Sequence, residues 1–203
     1  MLGYWNKSVY ITYLGAFVAV GGFLLAFEKL NVDYAFVGMI IAAVCDMFDG
    51  KVARSCKNRT ENEKEFGVQI DSLADIVCFI TVPAITLYFM GLQNFYHMII
   101  LALYVVCGII RLGYFNVAMS DKDKAIACYS GLPVPMSVAI FGLVWLIGKL
   151  VSFDIVLVYT ILVPLVGYLH ISKIKIKKFT NIWFYIIVTI ISLTAIVLGL
   201  FVL

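Results

Sequence analysis

Four aspartates carry most of the chemistry this sequence could perform: Asp46 and Asp49, three apart, and Asp71 and Asp75, four apart. On a helix both separations bring side chains onto one face, about 5–6 Å from each other. Each pair lies at the end of a segment otherwise oily enough to cross a membrane, where an aspartate at a helix centre costs about 2.5–3.5 kcal/mol on a translocon-type scale. Divalent metal compensates such a cluster most readily. An all-oxygen site suits Mg2+ or Mn2+, and four carboxylates can hold two ions. A pair of ions about 3.5–4 Å apart grips both the attacking and the leaving oxygen of a phosphoryl-type displacement. Gly50 and Ala53 share the face of the first aspartate pair, and Gly67, four before Asp71, shares that of the second. Such small side chains let a ligand or a facing backbone approach closely.

The stretch reads D-x-x-D-G-x-x-A-R, a polar spacer, then G-x-x-x-D-x-x-x-D, with Asp46, Asp49, Gly50, Ala53, Arg54, Gly67, Asp71 and Asp75 at the fixed positions. In this it resembles the CDP-alcohol phosphotransferase family of membrane enzymes. Twelve residues separate Arg54 from Gly67, a longer spacer than the family usually carries, and the surplus falls in the polar run SCKNRTENEKEF, read here as a longer connection. Two further segments, R-L-x-x-F-N from Arg111 to Asn116 and G-L-P-x-P from Gly131 to Pro135, resemble the branch of the family that uses serine.

The resemblance implies an activity. A CDP-linked lipid, CDP-diacylglycerol or CDP-archaeol, gives its phosphatidyl group to the hydroxyl of L-serine, and CMP leaves. It also implies that Asp46, Asp49, Asp71 and Asp75 hold two ions, Mg2+ or Mn2+, and that Asp75 is the general base. Asp46, Gly50, Ala53, Arg54 and Gly67 would meet the nucleotide. Arg111 would offer a bidentate cation to a phosphate or to the serine carboxylate, and Asn116 a hydrogen bond. A homodimer is implied on the same ground.

The elements that must position these residues are membrane helices. A mean hydropathy of +1.04, with 64% hydrophobic and only 13% charged residues, excludes an ordinary soluble domain. The net charge of +3 is too small to argue for nucleic acid. Apolar runs over 8–26, 33–54, 68–90, 95–118, 134–150, 154–170 and 182–203 predict an all-α, polytopic bundle of about seven spans forming one domain over 1–203. Pro83 should kink the third. With the amino terminus in the cytoplasm, thirteen of the fifteen Lys and Arg face the cytoplasm and only Lys29 and Lys149 do not. That places the aspartates at the cytoplasmic mouth. The compact length and lack of a targeting segment suggest a prokaryotic cytoplasmic membrane.

The remaining chemistry is sparse. Cys45, Cys56, Cys78, Cys107 and Cys128 form no C-x-x-C pair, and most lie in apolar runs where a free thiol packs as a small hydrophobe. His97 and His170 sit alone near span ends, as interfacial packing. The basic run of 171–178, rich in lysine, reads as a topology signal beside anionic headgroups. A divalent-metal transporter is the rival from another class, yet it wants polar residues distributed through the bilayer and the last three spans nearly lack them. A catalytically silent lipid-binding scaffold is a second rival. Within the enzyme class the runner-up acceptor is glycerol phosphate or inositol phosphate, for which Lys51, Lys57 and Arg59 could supply cations.

Overall fold

A computed structural model of the protein describes residues 3–4, 6–56, 58–120 and 128–177, with positions 193, 195 and 197. A short 3-10 turn, Lys7–Val9, leads into α1 (Tyr10–Lys29), which is followed by α2 (Asp33–Ser55). The third helix is continuous but irregular: α3 (Glu61–Asp75), a π-helical stretch (Ile76–Thr81) and α4 (Val82–Phe89). Then come α5 (Phe95–Ser120), β1 (Cys128–Ser130), α6 (Pro135–Leu150), α7 (Ile155–Ile171) and β2 (Lys175–Lys177). Tyr10–Lys29, Glu61–Phe89 and Phe95–Ala118 are long and apolar enough to cross a membrane, and α6 and α7 are shorter apolar helices. The count of seven is not reached among the described residues, and the expected span over 182–203 lies almost wholly outside them. Phe17, Leu103, Ile110 and Ile161 are exposed on the bundle's outside, which suits lipid as the surrounding solvent.

Small side chains set the packing of α1 on α2. Gly15, Ala19, Gly22 and Ala26 recur along one side of α1, and Ala19 and Ala26 are buried against the core. A Cβ at Gly38 of α2 would lie 2.7 Å from the Val18 carbonyl oxygen and 3.1 Å from Gly22 Cα. The two backbones therefore touch, as small-residue stripes allow between membrane helices.

The third helix departs from expectation in two places. It starts at Glu61 and not near 68, because Thr60 caps it: Thr60 Oγ1 accepts from Glu63 N–H, while Glu63 Oε2 accepts from Thr60 N–H at 2.7 Å. This reciprocal capping box winds half of the polar spacer into helix. Its irregularity starts before Pro83, as the π stretch from Ile76 to Thr81. A proline clashes with the carbonyl four residues back, here that of Phe79. That carbonyl turns to other donors, Tyr104 Oη at 2.7 Å and Ser137 Oγ at 3.1 Å. The backbone group released by the irregularity thus ties the third helix to α5 and α6.

Two features lay beyond the sequence reading. Residues 128–130 pair antiparallel with 175–177, Tyr129 opposite Ile176, so part of the lysine-rich run is a strand in an otherwise helical fold. Gly131, at φ +77°, makes the turn out of β1 where any Cβ would collide with the His170 carbonyl. The histidines are internal and not interfacial: His97 Nε2 lies 2.8 Å from Thr160 Oγ1, joining α5 to α7, and His170 Nδ1 lies 3.0 Å from the Leu132 carbonyl. At the bundle end away from the aspartates, Asp33 of α2 takes Lys149 Nζ at 2.7 Å and Trp145 Nε1 at 2.9 Å, both from α6.

Candidate metal and nucleotide site

Helices α1, α2 and α3 converge on one polar cleft. Asp46, Asp49 and Asp71 each offer a carboxylate oxygen, and these oxygens all lie within 4.8 Å of one another. The carboxylate of Asp46 faces that of Asp75, and the carboxylate of Asp49 faces that of Asp71. Carboxylates that meet in this way need a proton or a cation between them. Asp49 and Asp75 are each only 8% exposed, so water does little to screen them. From α1, Thr12 Oγ1 donates to Asp49 Oδ2 at 2.8 Å. Thr12 lies on the side of α1 that carries the small-residue stripe, so the backbone contact at Gly22 and Gly38 fixes the register of this hydrogen bond.

The donor set meets the geometric demands of a divalent ion. Oxygens about 2.0–2.6 Å from a hard cation lie up to about 4–5 Å apart, which the three aspartates satisfy. Asp71 Oδ1 is buried and accepts no hydrogen bond among the described residues, a position a cation would satisfy. The residues present fit a divalent metal.

The flanking residues divide by position. A Cβ at Gly50 would lie 3.3 Å from Arg54 Nη1, so the exposed Arg54 folds back over the glycine one turn earlier. Ala53 is half-buried on the same helix end. A Cβ at Gly67 would meet Arg59 Nη1 at 3.8 Å and Val9 Cγ1 at 4.0 Å, ordinary contacts that leave that face open. Arg111 of α5 is buried, with its guanidinium carbon 4.9 Å from the Phe115 ring centroid, and acts electrostatically on Asp46 and Asp75. Asn116 Oδ1 accepts from Ser72 Oγ at 2.9 Å, tying α5 to α3 beside Asp71. Thr12 and Ser72 are site residues that the sequence reading missed. Thr12 had a signal, as the one polar member of the series 12, 15, 19, 22, 26; Ser72 had none beyond its place next to Asp71.

A helical bundle that converges aspartates from two helices on one cleft defines a membrane protein with a carboxylate cluster of the kind that suits a divalent metal. The chain belongs to the CDP-alcohol phosphatidyltransferase family, whose model matches residues 5–167. Members of this family generally depend on a divalent metal. Among its relatives is the CDP-diacylglycerol–serine O-phosphatidyltransferase of Saccharomyces cerevisiae, 32% identical over 161 residues, which cover 73% of this chain and 57% of that protein. The protein of the same name from Methanocaldococcus jannaschii is 32% identical over 147 residues, 72% of this chain and 65% of that one. An archaetidylserine synthase of Methanothermobacter thermautotrophicus is 31% identical over 119 residues, 58% of this chain and 48% of that one. Each match spans less than two thirds of the relative's own length. With its apolar helices, the chain is an integral membrane protein.

Proposed function

We propose that this protein transfers the phosphatidyl group of a CDP-linked lipid, with acyl-ester or isoprenoid-ether tails, to the hydroxyl of L-serine and releases CMP. The observation that carries the reading is the convergence of Asp46, Asp49 and Asp71 with a buried, unsatisfied Asp71 oxygen, in a chain whose relatives bear the names of serine phosphatidyltransferases. Asp46, Asp49 and Asp71 would hold Mg2+ or Mn2+, with Asp75 sharing a second ion or standing beside it. The bound metal supplies neutralisation of the pyrophosphate and of the leaving CMP phosphate.

The chain's own groups do the rest. The serine oxygen bonds to the lipid-side phosphorus, the bond from that phosphorus to the CMP oxygen breaks, and CMP leaves with the electron pair. Asp75, buried beside Asp46, takes the proton of the hydroxyl. Gly50, Ala53, Arg54 and Gly67 receive the nucleotide, while Arg111 and Asn116 border the acceptor side. The reading further places the cleft at the cytoplasmic face of a prokaryotic membrane, in a homodimer.

The test is CMP release by purified protein in detergent with CDP-lipid, either metal, and a panel of serine, glycerol 3-phosphate, inositol phosphate and water. Release should need metal and L-serine, and Asp75→Asn should lower it by about 10²–10⁴-fold, the range for a general base. Release driven by another alcohol would overturn the serine assignment. No release, with metal-ion flux into vesicles, would overturn the enzyme reading.

A further inference from the structure

We infer that Arg59, in the connection between α2 and α3, is a second cation for the diphosphate of the nucleotide and works with Arg54 across the aspartate cleft. The inference rests on the functional reading above and deepens it. Its geometry is a repeated pairing of a bare helix surface with a guanidinium. Arg54 Nη1 lies 3.3 Å from where a Cβ of Gly50 would stand, and Arg59 Nη1 lies 3.8 Å from the corresponding point at Gly67. Gly50 directly follows Asp49, and Gly67 lies one turn before Asp71. Arg54 therefore sits at the end of α2, where it acts electrostatically on Asp49, and Arg59 lies against α3 at Gly67, one turn before Asp71.

Arg59 carries one donor that no described residue uses. Its Nε is buried and makes no hydrogen bond among the described residues. Of the acidic residues that follow it, Glu61 pairs with Lys64 Nζ at 2.8 Å, and Glu63, on which Arg59 acts electrostatically, already accepts at Oε2 from the N–H and hydroxyl of Thr60 and at Oε1 from Asn6 Nδ2. A buried guanidinium donor left without an acceptor is costly. The acceptor that suits it is planar or multi-oxygen, above all a phosphate gripped by two parallel N–H groups. The absence of a side chain at Gly67 leaves room for such an oxygen between the helix and the guanidinium. A nucleoside diphosphate brings two adjacent phosphates to a cleft with one arginine on either side.

The experiment measures CDP binding to the full chain in detergent with Mn2+ present, by titration calorimetry, together with KM for CDP-lipid and for serine. Arg59→Gln should weaken CDP binding about tenfold, the loss of one charge-assisted interaction. It should raise KM for CDP-lipid by a similar factor while KM for serine and the thermal midpoint stay unchanged. Arg59→Lys, which keeps the charge and loses the fork, should fall between. Gly67→Ala adds a methyl at ordinary contact distance, so it keeps the fold, and it should weaken CDP as well by filling the space under Arg59.

Unchanged CDP affinity in folded Arg59→Gln or in Gly67→Ala would overturn the inference. A rise confined to the acceptor KM would overturn it too, by assigning the cation to the acceptor. Wild-type protein that binds no CDP would sink the functional reading along with it. Binding by wild type and Arg59→Gln alike would sink this inference alone.

Discussion

Gly38→Ala should damage a site about 17 Å away, judged from the 11 steps from Gly38 to Asp49 at a helical rise of 1.5 Å. The added methyl would stand 2.7 Å from the Val18 carbonyl oxygen, and ordinary contact begins near 3.4 Å, so α1 and α2 must part by about 0.7 Å. Both contacts are backbone atoms, which cannot swing aside as a flexible side chain does. The same displacement carried to the aspartate end would stretch the 2.8 Å bond from Thr12 to Asp49 to about 3.5 Å, where it ceases to act as one. Overpacking of this kind costs about 1–3 kcal/mol. Misplacing reacting groups by about 1 Å costs up to about 10²-fold in rate. The assay is the thermal midpoint in detergent beside CMP release at saturating substrates. Thr12→Val serves as the comparison, since it removes the same hydrogen bond without moving a helix and should lose less activity than Gly38→Ala. Wild-type turnover and stability in Gly38→Ala would refute the claim that this crossing sets the register of the site.

Two predictions concern stability alone. The Phe79 carbonyl has two donors, so Tyr104→Phe should cost about 1 kcal/mol, while Tyr104→Phe with Ser137→Ala leaves the carbonyl bare and should cost more than the two single changes together; additive losses in a double-mutant cycle would refute the shared-acceptor account. Asp33→Ala removes the carboxylate that Lys149 Nζ and the Trp145 indole share, a side chain only 13% exposed, and should cost about 2 kcal/mol, between exposed and fully buried pairs. Adding Lys149→Met should recover part of that loss without changing KM for CDP-lipid; an equal or greater loss in the double variant would show that the pair itself is not what stabilises.

The convergence of Asp46, Asp49 and Asp71 was legible because carboxylates at helical spacing in apolar sequence are costly unless they share a compensating partner. The extents of α2, α6 and α7 were legible for a similar reason: long apolar runs end where charges and turns begin. The start of α3 was misread although its signal was present, since Thr60 and Glu63 spell a capping box inside a run whose polarity suggested a loop. The contact of Gly22 with Gly38 was hidden among many small residues, any of which could face a neighbour. The pairing of 128–130 with 175–177 had no local signature, because lysines alternating with isoleucines read equally well as a charge signal and as a strand. Arg59 drew notice only as part of a basic cluster; its position over Gly67 depends on how the connection folds.

The π stretch between Asp75 and Val82 changes how the chain can vary in length. A π turn takes in one residue more than an α turn, so losing a single residue from Ile76–Thr81 would restore a regular helix with both halves still in phase, whereas losing one from the α-helical turns on either side would rotate what lies beyond by about 100° relative to the aspartates. Ile80, Val82 and Leu87 now face the core from that lower half while Asp71 and Asp75 face the cleft from the upper half. A deletion in the α-helical turns would leave every other residue chemically intact and aim one set of them wrongly. The polar connection before α3 can gain or lose residues at little cost and these six positions can lose one, whereas the α-helical turns on either side hold a fixed length.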